Sequence, residues 1–347
     1  MKKYSLILIL FCIAQWVSAG GGAGWSHYPA QGGEPIATYF YDGIGRIHHM
    51  VMSPQRGVLL LLTAHGIWRA EVEDLSALPQ HIVQDNRVTT LAFHPDGTTF
   101  AYGLMNGMVI IADSTTGAQI NALHVDNQVI YALAFHPDGH ILAVGDGAGV
   151  LRLWDTQTGD IIEQPAHQYY LSALAYSPDG EYLVSSGIQR EELIKIWDGV
   201  TGDYRATPEL VIDNLSDPAR LMIDKLVFMP DKNRIVSVTH AEMLKSIVLS
   251  LSDGVGLYYQ AMDIAVSPDG LLVATAQSVG QALLHDVETF KPYAVIGSLP
   301  VDENAYSPLP IYNISFLADN ITVLTVSVGN RLDLWDVRQA ELLPEDA

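Results

Sequence analysis

Cysteine is nearly absent from this 347-residue chain, which has a single one, Cys12, in an apolar stretch near its start. The bulky Phe11 before it argues against lipid attachment at that thiol. Cleavage beyond residue 19 would leave no thiol at all, which excludes disulfides, thiolate nucleophiles and cysteine-ligated metals together. Positive charge is scarce as well: 18 Lys and Arg stand against 39 Asp and Glu, for a formal charge of −21. Such a field repels phosphate backbones and anionic lipid surfaces, so nucleic acid is not an expected partner. A cationic patch on a partner or a bound cation suits the charge, and solubility alone also accounts for it. The sequence has no Gly-x-Ser-x-Gly elbow, no His-Glu-x-x-His pair and no Gly-x-x-x-x-Gly-Lys loop, which removes the commonest hydrolase and nucleotide routes.

What the first 19 residues do contain is Lys2 and Lys3, an apolar run over 6–14, and Val17-Ser18-Ala19 ahead of a glycine cluster. That is the layout of a signal peptide, with cleavage expected after Ala19 and a secreted or periplasmic mature chain. The run is short for a bilayer, which takes about 20 residues, so no membrane span is expected after cleavage; an uncleaved anchor is the other reading. Beyond it, 49% hydrophobic content with 29 Gly and 17 Pro suits a large core served by many tight turns.

Self-similarity dominates the rest. Leu91-Ala92-Phe93-His94-Pro95-Asp96-Gly97, Leu133-Ala134-Phe135-His136-Pro137-Asp138-Gly139 and Leu174-Ala175-Tyr176-Ser177-Pro178-Asp179-Gly180 recur, their prolines 42 and 41 residues apart, and Ile264-Ala265-Val266-Ser267-Pro268-Asp269-Gly270 follows later. Weaker copies end at Pro54, at Pro230-Asp231 and at Ala318-Asp319-Asn320, which makes seven. Each reads as a strand entering a tight turn, with Pro, Asp and Gly at the positions that favour chain reversal. A second apolar run follows each turn, and a third ends in Trp-Asp at Trp154-Asp155, Trp197-Asp198 and Trp335-Asp336. After it come Thr-Gly turns such as Thr158-Gly159 and Thr201-Gly202, then a short fourth strand.

Four short antiparallel strands at a period near 40 resemble the blades of the WD-repeat family, over about residues 35–340. The resemblance implies an all-β, seven-bladed propeller of four-stranded antiparallel blades, with residues 35–41 supplying the missing outer strand of the last blade and so closing the ring. Residues 20–34 are expected as a flexible segment and 341–347 as a tail. Departures from the family pattern matter. Its blades often carry Gly-His before the first strand and an Asp before the third; here only His167 sits at the usual distance, and Ala148 stands where blade three would have that Asp. Blades two, five and six lack the Trp, with Ala112 and His285 at the matching places in the second and sixth. These blades are expected to depend on packing more than on the polar network.

The resemblance also implies a non-enzymatic platform that binds a protein or peptide through its upper face. The alternatives are an extracytoplasmic enzyme or small-ligand receptor at the mouth of the central channel, and a structural component of an extracellular assembly. Tyr and Arg carry much of the binding energy at protein interfaces. The candidates just before or at the start of first strands are Arg46, Arg87, Tyr169, Tyr170, Arg220, Tyr258, Tyr259 and Tyr312. No catalytic residue, metal or cofactor is expected. His94 and His136 replace the usual Ser of the turn and read as structural; His48 and His49, as strand neighbours, are expected on opposite faces. His65, His240 and Glu242 fall in loops between second and third strands and are a minor alternative as a metal site, while Asp213, Asn214 and Asp217 offer oxygens for calcium at a spacing that does not match the usual loop. The long connections 203–221 and 291–311 read either as functional loops or as insertions that each hide a short outer strand.

Overall fold

The computed structural model describes residues 34–55, 57–188, 193–208, 222–229, 234–240, 245–250, 256–259, 261–277, 280–287, 289, 291–297 and 310–343. They form seven antiparallel sheets and, among the described residues, no α-helix. The inner strands, in blade order, are Ile47–Met52, Val88–Phe93, Ile130–Phe135, Ala173–Tyr176, Met222–Phe228, Asp263–Val266 and Ile311–Phe316, and each packs against the inner strands of its neighbours. In blades one to six three further strands follow outward in chain order. The seventh sheet takes its outer strand from Ala37–Phe40, which pairs with Arg331–Asp336 with Ala37 opposite Leu334. This is the segment the sequence offered for that place.

Alternation of side chains builds the core between blades. Leu60, Leu62 and Ile67 of blade one bury themselves against Leu91, Phe93 and Phe100 of blade two, while Leu59 and Leu61, on the opposite face, meet Leu324 and Val326 of blade seven. A strand of period two that must serve two neighbouring blades reads as apolar on both faces, which is why Val58–Thr63 is Val-Leu-Leu-Leu-Leu-Thr.

The Pro-Asp-Gly turns lie on the lower rim, where Gly97, Gly139, Gly180 and Gly270 all have positive φ. In blades four and six a serine closes its own turn: Ser177 donates to Asp179 at 2.7 Å and Ser267 to Asp269 at 2.6 Å. Where His replaces Ser, the ring reaches across to the next blade instead. His94 Nε2 donates to Gly139 O at 3.0 Å and His136 Nε2 to Gly180 O at 3.1 Å, while Gln55 Nε2 of blade one donates to Asp96 O at 2.8 Å. Three successive blade junctions are thus stitched along one rim, a structural role for both histidines.

The polar network within blades is more extensive than the sequence suggested. In blade four His167 Nε2 and Trp197 Nε1 both lie 2.8 Å from Ser185 Oγ. At the matching places Trp335 Nε1 donates to Thr325 Oγ1 at 2.9 Å in blade seven, and His285 Nε2 lies 2.7 Å from Thr275 Oγ1 in blade six. The recurring element is a hydroxyl on the second strand facing a ring nitrogen on the third, and imidazole fills the role of indole without loss of the bond. In blade three the acid is Asp146, two residues ahead of the expected place, where it accepts from Ala148 N at 2.9 Å and Val150 N at 3.0 Å.

Both long connections contain a short outer strand, Tyr204–Ala206 and Pro292–Ile296. The expected tail begins with a paired segment: Glu341–Leu342 adds a fifth strand to blade six, Leu342 lies opposite Ala294, and Leu343 is buried with Leu283 and Val295. Leu343 N donates to Tyr293 O, so the pairing runs one residue beyond the strand.

Candidate upper-face site

The inner strands begin at the upper rim, and near that end five of the seven carry a bulge. In blades one, two, three, five and seven the register with the second strand slips there, leaving His48, Thr89, Tyr131, Asp224 and Tyr312 as bulged residues. A bulge inserts one unpaired residue and re-aims its side chain. The bulge falls at His48, and the two neighbouring histidines differ in environment, His48 being exposed and His49 half-buried.

Two aromatic groups assemble at this level. Arg46, just ahead of blade one, places its guanidinium carbon 4.6 Å from the centre of the Tyr312 ring on blade seven. Tyr170, in the connection entering blade four, stacks on Tyr131 of blade three with centroids 4.8 Å apart. Its neighbour Tyr169 is 50% exposed. Burial, with the Asp224 carboxylate next, pushes the Tyr170 hydroxyl up to about 12. Burial and then Arg46 lower the pKa of His48.

Of the eight expected contact residues, Arg46 packs on Tyr312 and Tyr170 stacks on Tyr131, two separate contacts, while Tyr169 is exposed beside Tyr170 in the same connection. Arg87 lies in an upper loop but turns back on itself, bonding Asp85 through Nε at 2.9 Å and Nη2 at 2.7 Å. Tyr258 and Tyr259 are corrected: they lie on the outer strand of blade five, Gly256–Tyr259, opposite Ile247 and Ser246, and so at the perimeter. Arg220, like Asp213, Asn214, Asp217 and Glu242, falls outside the described residues. Sequence reasoning missed Tyr131 and Asp224, although aligning the repeats on their prolines puts His48, Thr89, Tyr131, Ser172, Asp224 and Met262 in one column, six residues ahead of the proline.

Below the mouth, Lys225 of blade five and Asp263 of blade six form an ion pair at 2.7 Å. Burial holds the His49 imidazole down to about 4, with Lys225 lowering it further and Asp263 opposing. The unfolded imidazole takes its proton near 6.5, so acidification favours the unfolded chain: this contribution is complete above that pH and is lost as pH falls towards 4. One proton changes stability by about 1.36 kcal/mol per pH unit. Between pH 6.5 and about 4.5 the wild type should therefore lose about 2 kcal/mol more than His49→Gln in denaturant unfolding. Equal slopes would mean that the ring titrates as in solvent.

The geometry agrees with what comparison finds. Residues 58–132 and 124–177 match the family described as the anaphase-promoting complex subunit 4 WD40 domain, and residues 160–198 match the WD domain, G-beta repeat. No curated protein matches the sequence. A solved chain from the crystal structure of a mitotic checkpoint complex is similar in fold, with a TM-score of 0.69 at 14% identity, over 92% of this chain and 96% of that one. Matched through its repeats in blades one to four and through its fold over nearly all its length, the chain is a WD-repeat β-propeller.

Proposed function

We propose that the chain is a non-enzymatic platform that holds a protein or peptide partner on the upper face of the propeller, outside the cytoplasm. The reading is supported by two contacts near the starts of inner strands, Arg46 on Tyr312 and Tyr170 on Tyr131, with Tyr169 half-exposed beside the second. Rigid aromatic anchors with an adjacent guanidinium are the side chains that dominate interface energetics. WD-repeat propellers are interaction scaffolds by fold-level analogy, and the leader-like first 19 residues support the location.

The test is affinity capture by the chain from Gly20 onward against an extracytoplasmic fraction of the source cells. A stoichiometric protein should be retained, and its binding should weaken at least tenfold with Arg46→Ala and Tyr169→Ala combined. The same partner should be held by Tyr204→Ala, which alters an exposed perimeter tyrosine. Retention by the double variant, or loss with Tyr204→Ala, would remove the upper face from the reading, and a mature protein still carrying residues 1–19 would remove the location.

A further inference from the structure

We infer that the central channel, one level below the mouth, holds a binding site for a carboxylate group, built by His49, Lys225, Asp263 and Asn313. These residues occupy one repeat position, five ahead of Pro54, Pro230, Pro268 and Ala318, on blades one, five, six and seven. Blades five, six, seven and one are consecutive around the ring. At the same position blades two, three and four carry Thr90, Ala132 and Ala173, so the charged, imidazole and amide side chains fall on four consecutive blades.

The hydrogen-bond inventory at this level is unbalanced. Asp263 is the only carboxylate of the set and is already engaged, accepting from Lys225 Nζ at 2.7 Å and Ile264 N at 2.8 Å on one oxygen, and from Ile314 N of blade seven at 2.9 Å on the other. Lys225 spends one of its three N–H groups on that bond, and its side chain remains 31% exposed. Asn313 is 4% exposed, and its Nδ2 is buried with no hydrogen-bond partner among the described residues. A buried donor without an acceptor is unfavourable and rare, and needs a reason. The His49 ring, acted on by the Lys225 and Asp263 charges, adds one more N–H in its neutral form.

Donors are therefore in surplus, and the complement is an oxygen acceptor with negative charge. A single charge suits the place better than two, because Asp263 is adjacent and the whole chain carries −21. At the level above, Arg46 stands on the blade-one side and the Asp224 carboxylate on the blade-five side, so an anion is favoured to enter from the side of blade one. A planar carboxylate presents two oxygens to two donors, one amide and one ammonium, and a free acid would satisfy the site with no protein partner present.

The probe is sodium acetate, titrated into the chain from Gly20 onward against sodium chloride at equal ionic strength, with the Asn313 side-chain amide and His49 ring resonances followed by NMR. Acetate should shift both saturably, and affinity should fall at least tenfold in Asn313→Leu, which removes the unsatisfied amide and should leave the fold intact. Lys225→Met should act likewise; if it unfolds by leaving Asp263 without its counter-ion, Lys225→Met with Asp263→Asn keeps the charges balanced and should show the same loss. Triglycine and its C-terminal amide distinguish the sources. Tighter binding of triglycine than of acetate, with none by the amide, identifies a chain terminus; acetate binding as tightly as triglycine identifies a small free acid. Acetate behaving as chloride does, or binding Asn313→Leu as it binds the wild type, would overturn the site and leave Asn313 a water-bridged structural residue.

Discussion

Arg152→Ala should cost about 3–5 kcal/mol of unfolding free energy, because it strands a carboxylate in the interior of blade three. Asp146 is 0% exposed and Arg152 4%. One Asp146 oxygen accepts the two turn amides, Ala148 N and Val150 N, and the other accepts from the Arg152 guanidinium, whose Nε also bonds Glu163 at 2.6 Å. Two backbone donors do not neutralise a buried charge, so removing the cation exposes the full desolvation cost. The Asp146 carbonyl, moreover, accepts from Leu171 N, which ties this turn to the entry of blade four. Denaturant unfolding should show Asp146→Asn restoring part of the loss in the Arg152→Ala background, since the pair then carries no charge, with a coupling above about 1 kcal/mol. A loss below about 1 kcal/mol for Arg152→Ala alone would place the pair in the surface class.

Architecture was legible because each blade repeats the same solution to the same local problem. A Pro-Asp-Gly turn needs positive φ at its last residue, only glycine meets that need cheaply, and so the turns mark the period even where the strands diverge. The polar network was less legible. Reading it required the right atoms, a hydroxyl at 185, 275 or 325 and a ring nitrogen two strand positions away, whereas the Trp alone suggested that blade six had lost the link that His285 keeps. The mouth failed for a different reason. Period-two reasoning cannot anticipate a bulge, and the two residues it missed, Tyr131 and Asp224, each sit at one. Tyr258 and Tyr259 were misplaced because blade five has neither the Trp-Asp nor the Thr-Gly turn that fixes where a third strand ends. A two-residue strand such as Glu341–Leu342 carries no periodic signal, and its partner on blade six is 46 residues away, from Val295 to Glu341.

Gly149→Ala is the substitution through which fold and site meet most directly, and its expected cost is about 4 kcal/mol, at the upper end of what single changes do. Gly149 has φ of +78°, and a Cβ added there would lie 2.1 Å from His167 O and 2.2 Å from Tyr169 O. Both are backbone atoms, so no side-chain rotation relieves the clash. The Gly149 carbonyl also accepts from Ala166 N at 3.0 Å and His167 N at 2.9 Å, which makes the turn the support for the connection into blade four. Gly159→Ala is the control. Its φ of +84° carries the same left-handed conformation with nothing within 4 Å of the added carbon, so it should lose only the conformational cost of about 1–2 kcal/mol. The difference between the two variants is the price of moving the segment that holds His167 against Ser185 and sets Tyr170 on Tyr131. Gly149→Ala should therefore weaken upper-face binding even under conditions where the propeller stays folded, while Gly159→Ala leaves it unchanged. Equal stability losses would mean that the 166–170 segment yields freely, and a rigid aromatic mouth could not then be the basis of recognition.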